Sequence, residues 1–369
     1  MRHFILTTTA SLILTPLLAS QSVAQSSITT EAGPMRITPL VQGLDEPWGV
    51  DHLPDGTILI TERAGRLIAA RDGSTTEVAG LPDDIVVDGQ GGLLDILIPA
   101  DFSETRDVYL TYSKQLRGGA GTAVYHAKLS EDGKALTDGH TIFQMDRGSG
   151  TSHHFGSRLV EGPEDTLFIT VGDRGNGDLA QDVNRHNGKV LRIHRDGSVP
   201  QDNPFAGQGL PEVWSYGHRN PQGAAMDASG QLWTVEHGAK GGDEVNRITP
   251  GTNYGWPVIS YGTNYNGSKI GQGTQAEGMA QPVFYWDPSI APSGMAFYDG
   301  PVADWQGCAF IGSLKFNYVS RLCGDPLAEV ERIEAEETGR VRDVTMGPDG
   351  SLRFLSVIEG ALYSLSPEG

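Results

Sequence analysis

Long apolar runs are scarce in this 369-residue chain, and so are cysteines, cations and helical stripes. The one extended apolar stretch is the leader MRHFILTTTASLILTPLLASQSVAQ. Arg2 gives it a positive start, Phe4 to Leu18 are mostly apolar, and Ser22-Val23-Ala24 supply small residues before a cleavage point. That pattern predicts a secretory signal over 1–24 and a mature chain, 25–369, in a periplasm or outside the cell. A membrane anchor is the lesser reading, because threonines break the run and a span needs about 20 residues. No later segment is apolar enough to span a membrane. Lys and Arg number 27 against 46 Asp and Glu, a formal net charge of −19. Such a surface attracts neither nucleic acid nor anionic membranes, so any bound anion needs a local basic pocket. The two cysteines, Cys308 and Cys323, have no metal-site spacing. In an oxidising compartment they either pair across a hairpin or stay as buried thiols.

Apolar stripes of period 3.6 are missing over any useful length, which excludes a helical solenoid. A repeated hairpin takes their place. PWGVDHLPDGTILITERAGRL (47–67) has relatives in HFGSRLVEGPEDTLFITVGDRG (154–175), PQGAAMDASGQLWTVEHG (221–238) and RVRDVTMGPDGSLRFLSVIEGALYSLSP (340–367). Two weaker copies lie at 89–113 and 291–314. Each is an apolar strand, a turn rich in Pro, Asp and Gly, and a second apolar strand, spaced at roughly 45 to 70 residues. Six such units, usually followed by two more strand-like stretches, predict an all-β, six-bladed β-propeller of four-stranded antiparallel blades. A pair of β-sandwiches would leave the recurrence of one hairpin along the whole chain unexplained.

In such a blade the innermost strand starts, and the second strand ends, at one mouth of the central channel. Before the first strands stand Trp48, Gln90, His153-His154, Arg219-Asn220, Ser289, and Arg340 with Arg342. After the second strands stand Glu62-Arg63, Asp173-Arg174, Glu236-His237-Gly238 and Lys315. Taken singly, each is an ordinary turn or surface residue. Together, Arg219, Lys315, Arg340 and Arg342 form an anion site, because guanidinium forks suit carboxylates. His154 and Asp173, one hairpin apart, suit a general base and the carboxylate that fixes its tautomer.

In their order and spacing, GQGGLLDI, HHFGSRL, GDRG, YGHRNPQG, EHGAKGGDEVN, GTNYGWP, FIGSLK and RVRDV carry a resemblance. The chain resembles the soluble aldose sugar dehydrogenases that use pyrroloquinoline quinone (PQQ), the soluble glucose dehydrogenase family, over nearly its whole mature length. The resemblance implies oxidation of an aldose at C1 to the lactone. His154 takes the anomeric proton while hydride passes to C5 of the quinone, and Asp173 orients His154. Gln90, Arg219, Asn220, Lys315, Arg340 and Arg342 match positions that hold the quinone and its three carboxylates. Arg219 lies near the sugar, and Lys315 polarises the reactive carbonyls. Gly238 and Ala239 match a pair whose carbonyls bind a calcium ion that also touches the quinone. Asp243, Glu244 and Tyr254 resemble a second, structural calcium site. Ser289 is expected to touch the cofactor and Trp286 to wall the sugar site.

The partners implied are an aldose and an external electron acceptor, for a monomer or homodimer. The compact chain looks more like the broad aldose dehydrogenases than the glucose-specific members. Two rival readings remain at this stage. A calcium-dependent propeller lactonase or esterase would want carboxylate and Asn ligands on its metal, and a non-catalytic binding propeller would not need the histidine–aspartate pair.

Overall fold

Each recurring hairpin of the sequence is the inner half of one sheet. The first copy gives the strands Pro47–His52 and Ile58–Glu62, joined by a turn in which Gly56 takes φ +87°, a value that glycine adopts without steric cost. Inner strands such as Ile58–Glu62 and Leu93–Leu97 are buried along their whole length, so both faces read apolar. The outermost strand of the same sheet, Ser74–Glu77, is exposed throughout and reads polar.

The structure is a computed structural model that describes Met1 and residues 25–368. The expected secretory signal, Met1 apart, lies outside the described residues. The described residues form six sheets. Five are four-stranded blades whose innermost strands are Pro47–His52, Leu93–Leu97, Gly156–Gly162, Pro221–Met226 and Pro292–Phe297. The sixth contains Val341–Met346, Leu352–Ser356 and Ala361–Pro367. Its fourth strand is Gly33–Gln42, from the other end of the chain, and Ser26–Thr30 adds an outer edge. The ladder from Met35↔Pro367 to Gln42↔Ala361 closes the ring. The six-bladed propeller is therefore present, and its ring is locked by backbone hydrogen bonds between distant parts of the chain.

The core is a set of wedges between neighbouring blades. Leu59 and Leu67 of the first blade pack with Leu110 and Tyr112 of the second. Trp305 and Phe310 of the fifth pack with Phe354 of the sixth. Full burial of such a side chain is worth about 1.5–3 kcal/mol. Cys308 and Cys323 are joined as a disulfide that clasps the central hairpin of the fifth blade.

One irregularity recurs in all six blades. Each innermost strand carries one extra residue near its first end, opposite the second strand. Trp48, Gln222 and Arg342 are three of these bulged residues. A bulge bends the strand and re-aims its side chain. Repeated around the ring, it turns a layer of side chains toward the channel mouth.

Candidate active site

The turn that precedes the third blade holds His154 in a left-handed conformation, φ +59°. A non-glycine residue held there costs of order 1–3 kcal/mol and calls for a compensating fixture. The fixture is a set of hydrogen bonds. The His154 backbone N–H donates to Gln90 Oε1 at 2.8 Å, and its Nδ1 lies 2.7 Å from Asp173 Oδ1. Asp173, at the end of the adjoining strand, is buried and also accepts Gly175 N–H and the indole N–H of Trp256, each at 2.8 Å. With Nδ1–H bound to the carboxylate, Nε2 carries the free lone pair. Burial lowers the His154 pKa most; Asp173 pulls it up, Arg219 pushes it down, and the net position is below the ordinary histidine value. Burial raises the Asp173 carboxyl, but the His154 hydrogen bond, its charge, Gly175 and Arg219 outweigh that and hold it low. The pair is thus a neutral imidazole on an ionised carboxylate, the protonation state a general base needs.

The YGHRN turn is shaped by one buried carboxylate. Glu236 accepts the Arg219 backbone N–H at 2.6 Å and His218 Nδ1–H at 2.8 Å. Arg219 then lies over Trp256, 5.2 Å from the ring centroid, and donates Nη1–H to the Gly238 carbonyl. Asn220 is fully buried and uses Oδ1 on Gly156 N–H at 3.1 Å. Its Nδ2, and Nε of Arg219, are buried donors without a partner. Buried donors are nearly always satisfied, so this turn lacks an acceptor.

A cavity of about 860 Å³ opens beside it. Gln90, Ser289, Lys315, Arg340 and Arg342 line it, with Gly238 and Ala239. His154 is tied to its wall through Gln90, and Arg219 through Gly238. Lys315 and Arg340 are exposed. Arg342 is deeper, and burial, Arg340 and Arg158 pull its pKa down to about 9. Among the described residues, none of Arg219, Lys315, Arg340 and Arg342 forms a salt bridge. Lys315, Arg340 and Arg342 thus line one cavity without a carboxylate partner, with Arg219 behind Gly238, in a chain of net charge −19, and such a cluster favours an anion.

The residues expected to hold metal divide. Gly238 and Ala239 line the cavity, and the Gly238 carbonyl accepts Arg219. Asp243 does not present a free carboxylate. Its oxygens accept Gly238, Ile290 and Ala291 N–H and the Ser289 hydroxyl, all within 2.9 Å. Tyr254 is buried against His218, donates its hydroxyl to the Arg247 carbonyl at 2.6 Å and accepts Thr249 N–H at 2.9 Å. Asp243 and Tyr254 therefore hold loops together here rather than standing open to a cation. Glu244 bonds Asn246 at 3.2 Å, and burial followed by Glu236 pushes its carboxyl well up. Ser289 does line the cavity, with its hydroxyl spent on Asp243.

Trp286, expected to wall the sugar site, does not line this cavity. It is 3% exposed, belongs to the wedge with Trp233 and Met295, and donates its indole N–H to Glu329. The residue beside the pair to which the sequence assigned no role is Trp256, which touches both Asp173 and Arg219. It comes from the long segment between the strands Asp243–Arg247 and Phe284–Trp286, where no repeat signals a position. His237, which the repeat placed at this mouth, lines the cavity, and so does Gln222, which it did not single out.

A family model for glucose/sorbosone dehydrogenases matches residues 44–364. The chain belongs to that family. It is 41% identical over 370 residues to an aldose sugar dehydrogenase of Escherichia coli (strain K12), covering 97% of this chain and 98% of the relative. The crystal structure of the soluble aldose sugar dehydrogenase from Escherichia coli in the apo form superposes with a TM-score of 0.87 at 42% identity, over 90% of this chain and 100% of that one. A PQQ-bound aldose sugar dehydrogenase from Streptomyces coelicolor superposes with a TM-score of 0.75 at 26% identity, over 93% and 98% of the two chains. The family is one of dehydrogenases, and this chain is an oxidoreductase of that family.

Proposed function

We propose that this chain oxidises aldose sugars at C1 to the lactone, with PQQ as the electron acceptor and His154 as the general base. The observation that supports it most is the meeting of three cations, Lys315, Arg340 and Arg342, none with a carboxylate partner, in one cavity whose wall also holds Arg219 through Gly238 and the His154–Asp173 pair through Gln90. A tricarboxylate supplies the charge they lack, and an acceptor-rich ring meets the unpartnered Asn220 Nδ2 and Arg219 Nε. The residues fit the cofactor that the Streptomyces relative binds.

When bound, the quinone supplies the two-electron sink. The protein's own residues do the rest. Arg340 and Arg342 bind carboxylates, and Lys315 stabilises negative charge that develops at the mouth. Gln90 holds the His154 backbone. Asp173 keeps the imidazole in the tautomer whose Nε2 takes the proton from the anomeric hydroxyl. Trp256 anchors the second oxygen of Asp173 and supports Arg219, which faces the sugar. A neutral sugar needs no charge attraction, so the acidic surface is no obstacle. The carbonyls of Gly238 and Ala239 are the proposed calcium ligands, and a calcium ion there would act as a Lewis acid. Arg219 would have to share the Gly238 carbonyl with it.

The leader sequence makes the proposed compartment the periplasm or the exterior. The Cys308–Cys323 disulfide supports an oxidising one. The test is to add PQQ and calcium to the purified protein, supply an aldose and a redox dye, and follow dye reduction. Cleavage of a lactone or aryl ester without quinone, and no dye reduction, would replace this reading with the hydrolase.

A further inference from the structure

Below the cavity the bulged residues of separate blades form one connected layer. Trp48 lies between two guanidiniums: Arg158 is 4.7 Å and Arg342 is 5.7 Å from the indole. Arg158 is neutralised. Its Nη1 bonds Asp95 at 2.6 Å and Asp343 at 3.0 Å. Arg342 is not neutralised. Its Nη1 donates instead to the side-chain carbonyl of Gln222 at 2.8 Å. The backbone carbonyl of the same Gln222 accepts Arg158 Nε–H at 3.1 Å. Asp343, next to Arg342 in sequence, has given its oxygens to Arg158, Val50 N–H and Val344 N–H. Gln222 itself is 5% exposed and is the extra residue of its bulge.

The layer sorts two cations of the same kind into different jobs. One is paired with two carboxylates and ties blades together. The other is oriented by an aromatic face and a neutral acceptor, so its position is fixed while its charge stays available. A carboxylate at 222 would hold the guanidinium as well but would cancel its charge. An apolar residue would leave its charge and lose its aim.

We propose that Gln222 is a positioning residue that holds Arg342, on the Trp48 platform, as an unneutralised cation for the carboxylates of the cofactor. This rests on the functional reading above, in which Arg342 binds PQQ. Gln222 acts through Arg342 and touches no reacting atom.

A double-mutant cycle tests it, read by calorimetric titration of the protein with PQQ rather than by turnover. Arg342→Gln should weaken binding about 30-fold, as expected for loss of a charge-assisted hydrogen bond. Gln222→Glu should weaken binding about tenfold in the wild-type background and by less than about twofold in the Arg342→Gln background. Gln222→Met, which removes the acceptor without adding charge, should cost about threefold by the same route. It carries the test if thermal melting shows that Gln222→Glu does not fold. Equal losses with and without Arg342, or no loss in either Gln222 variant, would overturn the positioning role. Failure of the wild-type protein to bind PQQ would instead overturn the functional reading beneath it, and the proposal with it.

Discussion

Trp256 donates its indole N–H to the oxygen of Asp173 that His154 leaves free, at 2.8 Å, so one carboxylate is gripped from both sides. Removing that donor with Trp256→Phe should leave Asp173 ionised but less fixed. The loss of one such hydrogen bond is worth about 1–1.5 kcal/mol, or about tenfold in kcat/KM. Steady-state kinetics with a saturating acceptor measure it. A variant as active as the wild type would show that Gly175 and His154 suffice to hold Asp173.

His154→Ala should lower kcat by about 10²–10⁴ while PQQ affinity changes little, because the proposed cation cradle does not include the imidazole. Binding by titration and turnover by dye reduction separate the two effects. Equal loss of both would make His154 a cofactor ligand rather than the base.

The pH profile has a definite sign. Burial, with Arg219 and His153 adding to it, lowers the His154 pKa below its ordinary 6.5 in spite of Asp173. The neutral base therefore persists below pH 6.5 and is lost only as pH falls through the lowered value. kcat/KM should be flat across neutral pH and decline on an acidic limb below 6.5. An inflection above 6.5 that disappears in His154→Gln would mean that the charged imidazole is favoured in the site.

Arg340→Ala and Arg342→Ala should each weaken PQQ binding, by about 1.5–3 kcal/mol for a charged hydrogen-bonding group, with little change in thermal stability for the exposed Arg340. An unchanged affinity in the double variant would remove both from the cofactor site.

The Cys308–Cys323 disulfide closes a loop with a sequence separation of 15. Replacing both cysteines by serine should cost about 3 kcal/mol of unfolding free energy on the loop-entropy account. Urea unfolding measures it, and equal midpoints would show that the strand pairing of the fifth blade alone sets its stability.

How much of this was legible in the sequence follows the repeat. The hairpin copies fixed the inner two strands of every blade, and with them which residues reach the mouth. His154, Asp173, Arg219, Lys315, Arg340 and Arg342 were all read from that rule. The rule ends where the repeat ends. Trp256 stands in the unrepeated 248–283 segment and reaches Asp173 only through tertiary contact. Asp243, Glu244 and Tyr254 were expected at a second calcium site only through the family resemblance, and a resemblance does not show that Asp243 sits in a cage of backbone N–H groups. Trp286 directly precedes the Asp287-Pro288-Ser289 turn, yet as the last residue of an outer strand it faces the wedge between blades. The bulges were invisible too, since one extra residue in a strand leaves no mark in composition. They decide that Trp48, Gln222 and Arg342 meet.

The most direct test is a single-turnover experiment. PQQ-loaded protein is mixed rapidly with an aldose in the absence of dye, and the absorbance of the bound quinone is followed. The account predicts reduction of one quinone per chain within the mixing experiment, and quinone that stays bound but oxidised in His154→Ala. Quinone that binds the wild-type protein and is never reduced by any aldose, or is reduced equally fast in His154→Ala, would contradict it.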